Sequence, residues 1–151
     1  MSSDLETGPP PAVARRLGYL LKHAQLRLYE LAEPLYEPLG VTGRQLALLT
    51  LFGDGPAQSQ QDGAARLGID RTTMVALVDE LEARGLVRRE VAPGDRRKRL
   101  VRLTDEGERV RRAGEEATGE AETLLLAPLG ADADRLRAAL QLVVQGVVRG
   151  E

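Results

Sequence analysis

Between Ala12 and Tyr36 apolar residues recur at steps of three and four: Val13, Leu17, Leu20, Leu21, Ala24, Leu28, Leu31, Ala32 and Leu35. That spacing lays one apolar stripe along a long helix, and Pro34 and Pro38 are expected to bend or end it near its C-terminus. Thr42 is placed to cap a second helix, with Leu46, Leu49 and Phe52 as its stripe and Gly53-Asp54-Gly55-Pro56 as its stop. Ser59 ahead of Gln60-Gln61-Asp62 opens a short helix to about Leu67. Gly68-Ile69 makes a tight turn, and Asp70 caps a helix to about Arg84 with Gly85 behind it. On that helix Met74, Leu77, Val78 and Leu81 share the face expected to pack inward.

The period then shortens. Leu86 to Val91 and Lys98 to Leu103 read as two strands, and Ala92-Pro93-Gly94-Asp95 between them as a turn. Thr104 opens a helix to about Leu126 with a small inner face: Val110, Ala113, Ala117, Ala121 and Leu124. Pro128 and Gly130 break it, and Asp132 caps a last helix carrying Leu136, Leu140, Val143, Val144 and Val147 on one face. Residues 1–11 are polar, end in three prolines, and are expected to be a disordered arm. Two helices joined by a tight turn and followed by a hairpin make a winged helix-turn-helix. The predicted class is mainly α (α+β).

Composition narrows the chemistry. The chain has 151 residues, suited to one domain with extensions. It has no Cys, so disulfides, thiolate metal sites and thiol sensing are excluded, and a single His, His23, argues against a histidine zinc site. Nothing calls for a cofactor. Catalysis is not expected either: the sequence has no Ser–His–acid set, metal-ligand cluster or phosphate-cradling glycine loop. No stretch approaches the ~20 apolar residues of a membrane span. Met1–Thr7 lacks a basic segment followed by an apolar one, so a cytoplasmic location is expected.

Net charge is −2, which at first argues against nucleic acid. Charges separated by more than about 8 Å are largely screened at physiological salt, so local distribution decides. From Arg84 to Arg102 stand Arg84, Arg88, Arg89, Arg96, Arg97, Lys98, Arg99 and Arg102, against Glu90 and Asp95 alone. A basic hairpin behind a helix-turn-helix suits double-stranded DNA. On the second helix of the pair, Arg71, Thr72, Thr73 and Ala76 are the groove-facing candidates, assisted by the helix dipole. Ser59 and Gln60, at the start of the first helix, complete the helical set. Arg97 is the candidate for entering a minor groove, with Arg96, Lys98 and Arg99 for phosphates. Asp95, two residues before Arg97, lies on the same side of an extended chain and is expected to hold its guanidinium.

Gly68 to Val87, followed by Asp95-Arg96-Arg97 and Leu103-Thr104-Asp105-Glu106-Gly107, resembles the MarR family of winged-helix transcriptional regulators, and the likeness runs from about residue 12. The resemblance implies a homodimer on a palindromic operator, with a DNA-binding region over residues 41–107. Residues 12–40 and 108–151 would be dimerisation helices of the same domain. It implies a repressor released by a small, phenolic or otherwise anionic effector. It also excludes oxidant sensing through Cys and zinc sensing through His clusters, which this chain cannot build. Tyr19, Tyr29 and Tyr36 are assigned to packing at the dimer interface, with a pocket lining as the alternative, and Tyr19 and His23 are the candidate effector residues. One departure stands out: Gly63 occupies a position where the family has a bulky aliphatic residue, which is expected to loosen that short helix. With the acidic net charge, Gly63 also motivates the alternative of a winged-helix protein-interaction module that does not read DNA.

Overall fold

A computed structural model of the protein describes residues 8–148. In chain order it contains α1 (Pro11–Ala14), α2 (Leu17–Tyr36), α3 (Gly43–Gly53), β1 (Gln58–Ser59), α4 (Gln60–Leu67), α5 (Arg71–Ala83), β2 (Val87–Ala92), β3 (Asp95–Leu103), α6 (Asp105–Leu126) and α7 (Ala133–Val148). Short 3₁₀ turns, Glu37–Leu39 and Ala127–Asp132, precede α3 and α7. Two compact units result, one from residues up to Leu31 and from Ala121 onward, the other from Ala32–Glu120.

The Ala32–Glu120 unit holds the predicted winged helix-turn-helix. Its core joins Leu46, Leu48, Leu49 and Phe52 of α3 to Met74, Val78 and Leu81 of α5, Val87 and Val101 of the hairpin, and Val110 of α6. Each large aliphatic side chain removed from water contributes about 1.5–3 kcal/mol, so this cluster dominates the unit's stability. The sheet is antiparallel in the order β1-β3-β2. The strand β1 is a finding the periodicity did not predict: Gln58 and Ser59 pair with Val101 and Leu100, tying the entry to α4 onto the wing.

Four of the predicted caps form, Thr104 at α6 among them. Thr42 and Gln45 make a reciprocal capping box at α3, Ser59 accepts from the Asp62 amide at α4, and Asp70 accepts from the Thr73 amide at α5. Gly85, at φ +71°, turns the chain from α5 into the wing. The wing is closed at its base by Thr104. Its amide donates to the Leu86 carbonyl at 3.1 Å, its hydroxyl donates to the Gly85 carbonyl at 2.5 Å, and the same oxygen accepts from the Gly107 amide at 3.0 Å. A Cβ at Gly107 would run into the Leu86 carbonyl, so only glycine lets α6 start this close to the wing.

Gly63 is corrected from a defect to a fit. It is buried, and a Cβ built there would meet Phe52 Cζ at 3.0 Å and Leu51 Cδ2 at 3.1 Å. The volume of the expected aliphatic side chain is already filled from α3, by the chain's one phenylalanine. Gly63 therefore gives no reason to doubt the rigidity of α4, and one of the two grounds for an interaction module that ignores DNA falls away.

Other differences are local. The first helix breaks at Arg15–Arg16 into α1 and α2, and Pro34 lies inside α2 without ending it. So close to the C-terminus Pro34 forfeits one intrahelical bond; Gly40, left-handed at φ +67°, closes the 3₁₀ turn that follows. The expected arm lies largely outside the described residues, and Pro11 opens α1. Tyr36, assigned to the dimer interface, shares a 2.7 Å hydrogen bond with Thr118 of its own chain. In the other unit Leu124, expected to face inward, is 51% exposed. Leu17, Leu20, Leu21 and Leu26 of α2 and Leu136, Leu140, Leu142, Val143 and Val144 of α7 are likewise exposed. The side chain of Val147 lies outside the described residues.

Two predictions follow from this packing. Gly63→Ala offers a gain in helix propensity of about 1 kcal/mol against a crowded ring, and is expected to leave urea stability within about 1 kcal/mol of wild type. Gly63→Leu overpacks the α3–α4 contact and is expected to lose about 1–3 kcal/mol, measured at equal protein concentration. The second concerns Glu108, whose carboxyl is held at about 2, below the usual 4.5, chiefly by the hydrogen bonds of Arg111 and then by Arg112. A depressed carboxylate contributes stability above its ordinary value and loses it as pH falls toward the folded one. The thermal midpoint should therefore drop between about pH 5 and about pH 2.5, and drop less steeply in Glu108→Gln.

Candidate nucleic-acid interface

The N-termini of α4 and α5 and the wing enclose one open cleft of about 680 Å³. Of the residues expected to meet DNA, Ser59, Gln60, Arg71, Asp95, Arg97, Lys98 and Arg99 line it. Arg96, Thr72, Thr73 and Ala76 do not. Arg96 is exposed on the wing, and Thr72 and Ala76 stand on the exposed face of α5.

Not every candidate offers a free polar group. Ser59 is 7% exposed, and its hydroxyl both accepts from the Asp62 amide at 3.1 Å and donates to Asp62 Oδ2 at 2.7 Å. Thr73 donates its hydroxyl to Asp70 Oδ2 at 2.6 Å. Ser59 is the cap of α4 and Thr73 is tied to Asp70, the cap of α5; the same bonds hold the Asp62 and Asp70 carboxyls below the usual range, with Lys98 assisting at Asp62. Gln60 accepts from Arg89 Nε at 2.7 Å. Lys98 lies 3.3 Å from Asp62 Oδ2, an exposed pair worth little to stability and easily opened. Among the described residues, no side-chain partner holds Arg71, Arg96, Arg97 or Arg99.

The tip of the wing differs from the predicted hairpin. A Pro93-Gly94 turn with Gly94 at φ +82° joins the strands, the order and sign of a type II turn. Val91 pairs with Arg99 but Ala92 pairs with Asp95, so Arg96, Arg97 and Lys98 stand opposite no residue of β2. This three-residue bulge leaves three adjacent, exposed cations outside the ladder with β2. Asp95 also acts differently from the expectation. Its Oδ1 accepts from the Arg97 backbone amide at 2.9 Å rather than from the guanidinium. An aspartate two residues ahead of an amide in a bulge reaches it directly, which shapes the backbone and leaves the Arg97 side chain unrestrained.

Arg89 was missed by sequence reasoning, which counted it only as one more cation. It reaches α4 through Gln60, and α5 through Asp79 at 2.7 Å and Glu82 at 2.9 Å. The arginine falls on a strand position and its acids at i, i+3 of a helix, so no local pattern joins them. Deeper in the wing, Glu90 is held below the usual carboxyl range by Arg88 and Arg102, which withdraws those two cations as well. No group of three His, Asp or Glu side chains among the described residues is placed to hold a metal ion, and no described helix is long and apolar enough to cross a membrane.

The Asp70 cap sets the first turn of α5, and with it Arg71 and Thr72. Asp70→Ala is expected to cost about 1 kcal/mol in chemical denaturation, with no change in the cooperativity of unfolding.

A MarR family profile matches residues 39–98. A protein of Thauera aromatica named for transcriptional regulation of the hcr operon is 30% identical over 107 residues, which is 70% of this chain and 64% of that protein. The chain thus spans a little under two thirds of that relative's length. Among solved structures, the transcriptional repressor CouR bound to a 23-mer DNA duplex matches with a TM-score of 0.80 and 34% identity, covering 92% of this chain and 96% of that one. CouR from Rhodococcus jostii RHA1 bound to p-coumaroyl-CoA matches with a TM-score of 0.75 and 29% identity, covering 89% and 95%. On these likenesses the chain belongs to the MarR family of transcriptional regulators.

Proposed function

We propose that the protein is a dimeric, sequence-specific DNA-binding regulator that acts as a repressor in the cytoplasm and is released by a small ligand. The observation that carries this reading is the set of cations with no side-chain partner among the described residues, Arg71, Arg96, Arg97 and Arg99, on the wing and a helix terminus. Arg71 and Thr72 begin the helix suited to a major groove, and Arg97, exposed in the bulge, suits a narrow minor groove. A solved relative of the same fold carries a DNA duplex.

Residues 12–40 and 108–151 supply the dimer contacts in this reading. The exposed leucines and valines of α2 and α7 support it, because a stripe of that size is normally covered by a partner. The effector is small and phenolic or anionic, in keeping with the p-coumaroyl-CoA bound by one relative. Tyr19 and His23, stacked with ring centroids 3.9 Å apart, are the candidate contacts. An effector releases DNA only if it binds the DNA-incompetent arrangement more tightly.

Selection from random duplexes at moderate salt is expected to enrich a palindrome, and failure to enrich any duplex contradicts the reading. On the enriched duplex Arg97→Ala should bind at least about tenfold more weakly, a change of about 1.4 kcal/mol. Its thermal midpoint should remain that of wild type. Equal affinity would remove the wing tip from the interface.

A further inference from the structure

Thr72, Ala76 and Asp79 stand at i, i+4 and i+7 on α5, so a carboxylate shares the exposed face of the helix that meets the groove. The Asp79 side chain is 60% exposed and that of Glu82, one turn on, 43% exposed. Beside a polyanion two such charges per subunit are repulsive, within the ~8 Å over which charges act at physiological salt. Arg89 answers both. Its Nη2 donates to Asp79 Oδ1 at 2.7 Å, its Nη1 to Glu82 Oε1 at 2.9 Å and its Nε to Gln60 Oε1 at 2.7 Å, while its backbone amide donates to Glu82 Oε2 at 3.1 Å. All three guanidinium nitrogens are engaged and the side chain is 18% exposed. The unpartnered Arg71, Arg97 and Arg99 of the same cleft are built differently.

We propose that Arg89 is a positioning residue for DNA binding: it neutralises Asp79 and Glu82 on the groove-facing helix and fixes the wing and α4 against α5, without itself taking a phosphate. The inference rests on the DNA-binding reading above. A phosphate-binding arginine and a charge-cancelling one leave different signatures, because each phosphate contact adds about 0.9 to the log–log salt slope, whereas a cancelled carboxylate can be removed in its own right.

The test measures binding to the duplex enriched by wild type, over about 50 to 200 mM KCl, for wild type, Arg89→Ala and the triple variant Arg89→Ala/Asp79→Asn/Glu82→Gln. Arg89→Ala is expected to lose at least about tenfold in affinity with the salt slope retained, and the triple variant to recover most of that loss. A slope reduced by about 0.9 for each subunit overturns the proposal by making Arg89 a phosphate ligand. A triple variant no tighter than Arg89→Ala overturns it too. Should Arg89→Ala fail to fold by circular dichroism, Asp79→Asn decides alone, since Glu82 and Gln60 still hold the guanidinium. It is expected to bind about two- to fivefold more tightly than wild type. Binding tenfold weaker at an unchanged thermal midpoint overturns the proposal, because Asp79 would then be a group the DNA requires. Wild type alone decides whether the chain binds DNA, and the variants, compared with it, decide the role of Arg89.

Discussion

The guanidinium of Arg89 is where the pieces of the candidate DNA-reading surface meet. It leaves β2, touches Gln60 on α4, and reaches Asp79 and Glu82 on α5. The aliphatic core beneath it holds α5 and the hairpin far more strongly, with seven large side chains from α3, α5, β2 and β3 almost wholly out of solvent, each worth about 1.5–3 kcal/mol. Hydrophobic burial is non-directional, however. It brings a hairpin to a helix pair without fixing the angle between them, whereas charge-assisted hydrogen bonds of 2.7–2.9 Å do fix it. Core and clamp therefore do separate work, one supplying stability and the other orientation.

The same division recurs at the wing's two ends. At its base, Thr104 and Gly107 hold the start of α6 on the backbone of Gly85 and Leu86. At its tip, the bulge and the Asp95 bond to the Arg97 amide shape the backbone while the arginine side chains stay unpaired. A hydrogen-bonded base with exposed cations at the end suits a surface that must first find DNA electrostatically and then seat on it.

Much of this was legible in the sequence wherever a local rule applies. Helix period, Ser59 and Asp70 as caps, Gly85 as a stop and the basic hairpin are each set by neighbours within a few residues, and each appears close to its expected place. What escaped was non-local. β1 is two residues long and owes its existence to pairing with Val101 and Leu100 some forty positions later. Gly63 looked like a defect because its missing side chain is supplied by Phe52 from another helix. Arg89 looked like one cation among several because its acids sit on a different element. Position alone makes Ser59 and Thr73 DNA-facing, but the Ser59 hydroxyl caps α4 and the Thr73 hydroxyl is bound to the Asp70 cap of α5.

The central claim is that helix and wing form one head addressing two grooves of the same duplex. Chemical footprinting of wild type on its enriched duplex tests it most directly, reading guanine N7 methylation for the major groove and hydroxyl-radical cleavage for the minor groove. The account predicts that each half-site shows a major-groove contact and a minor-groove protection offset by about half of the 10–10.5 bp helical turn. Protection confined to one groove in each half-site would contradict it.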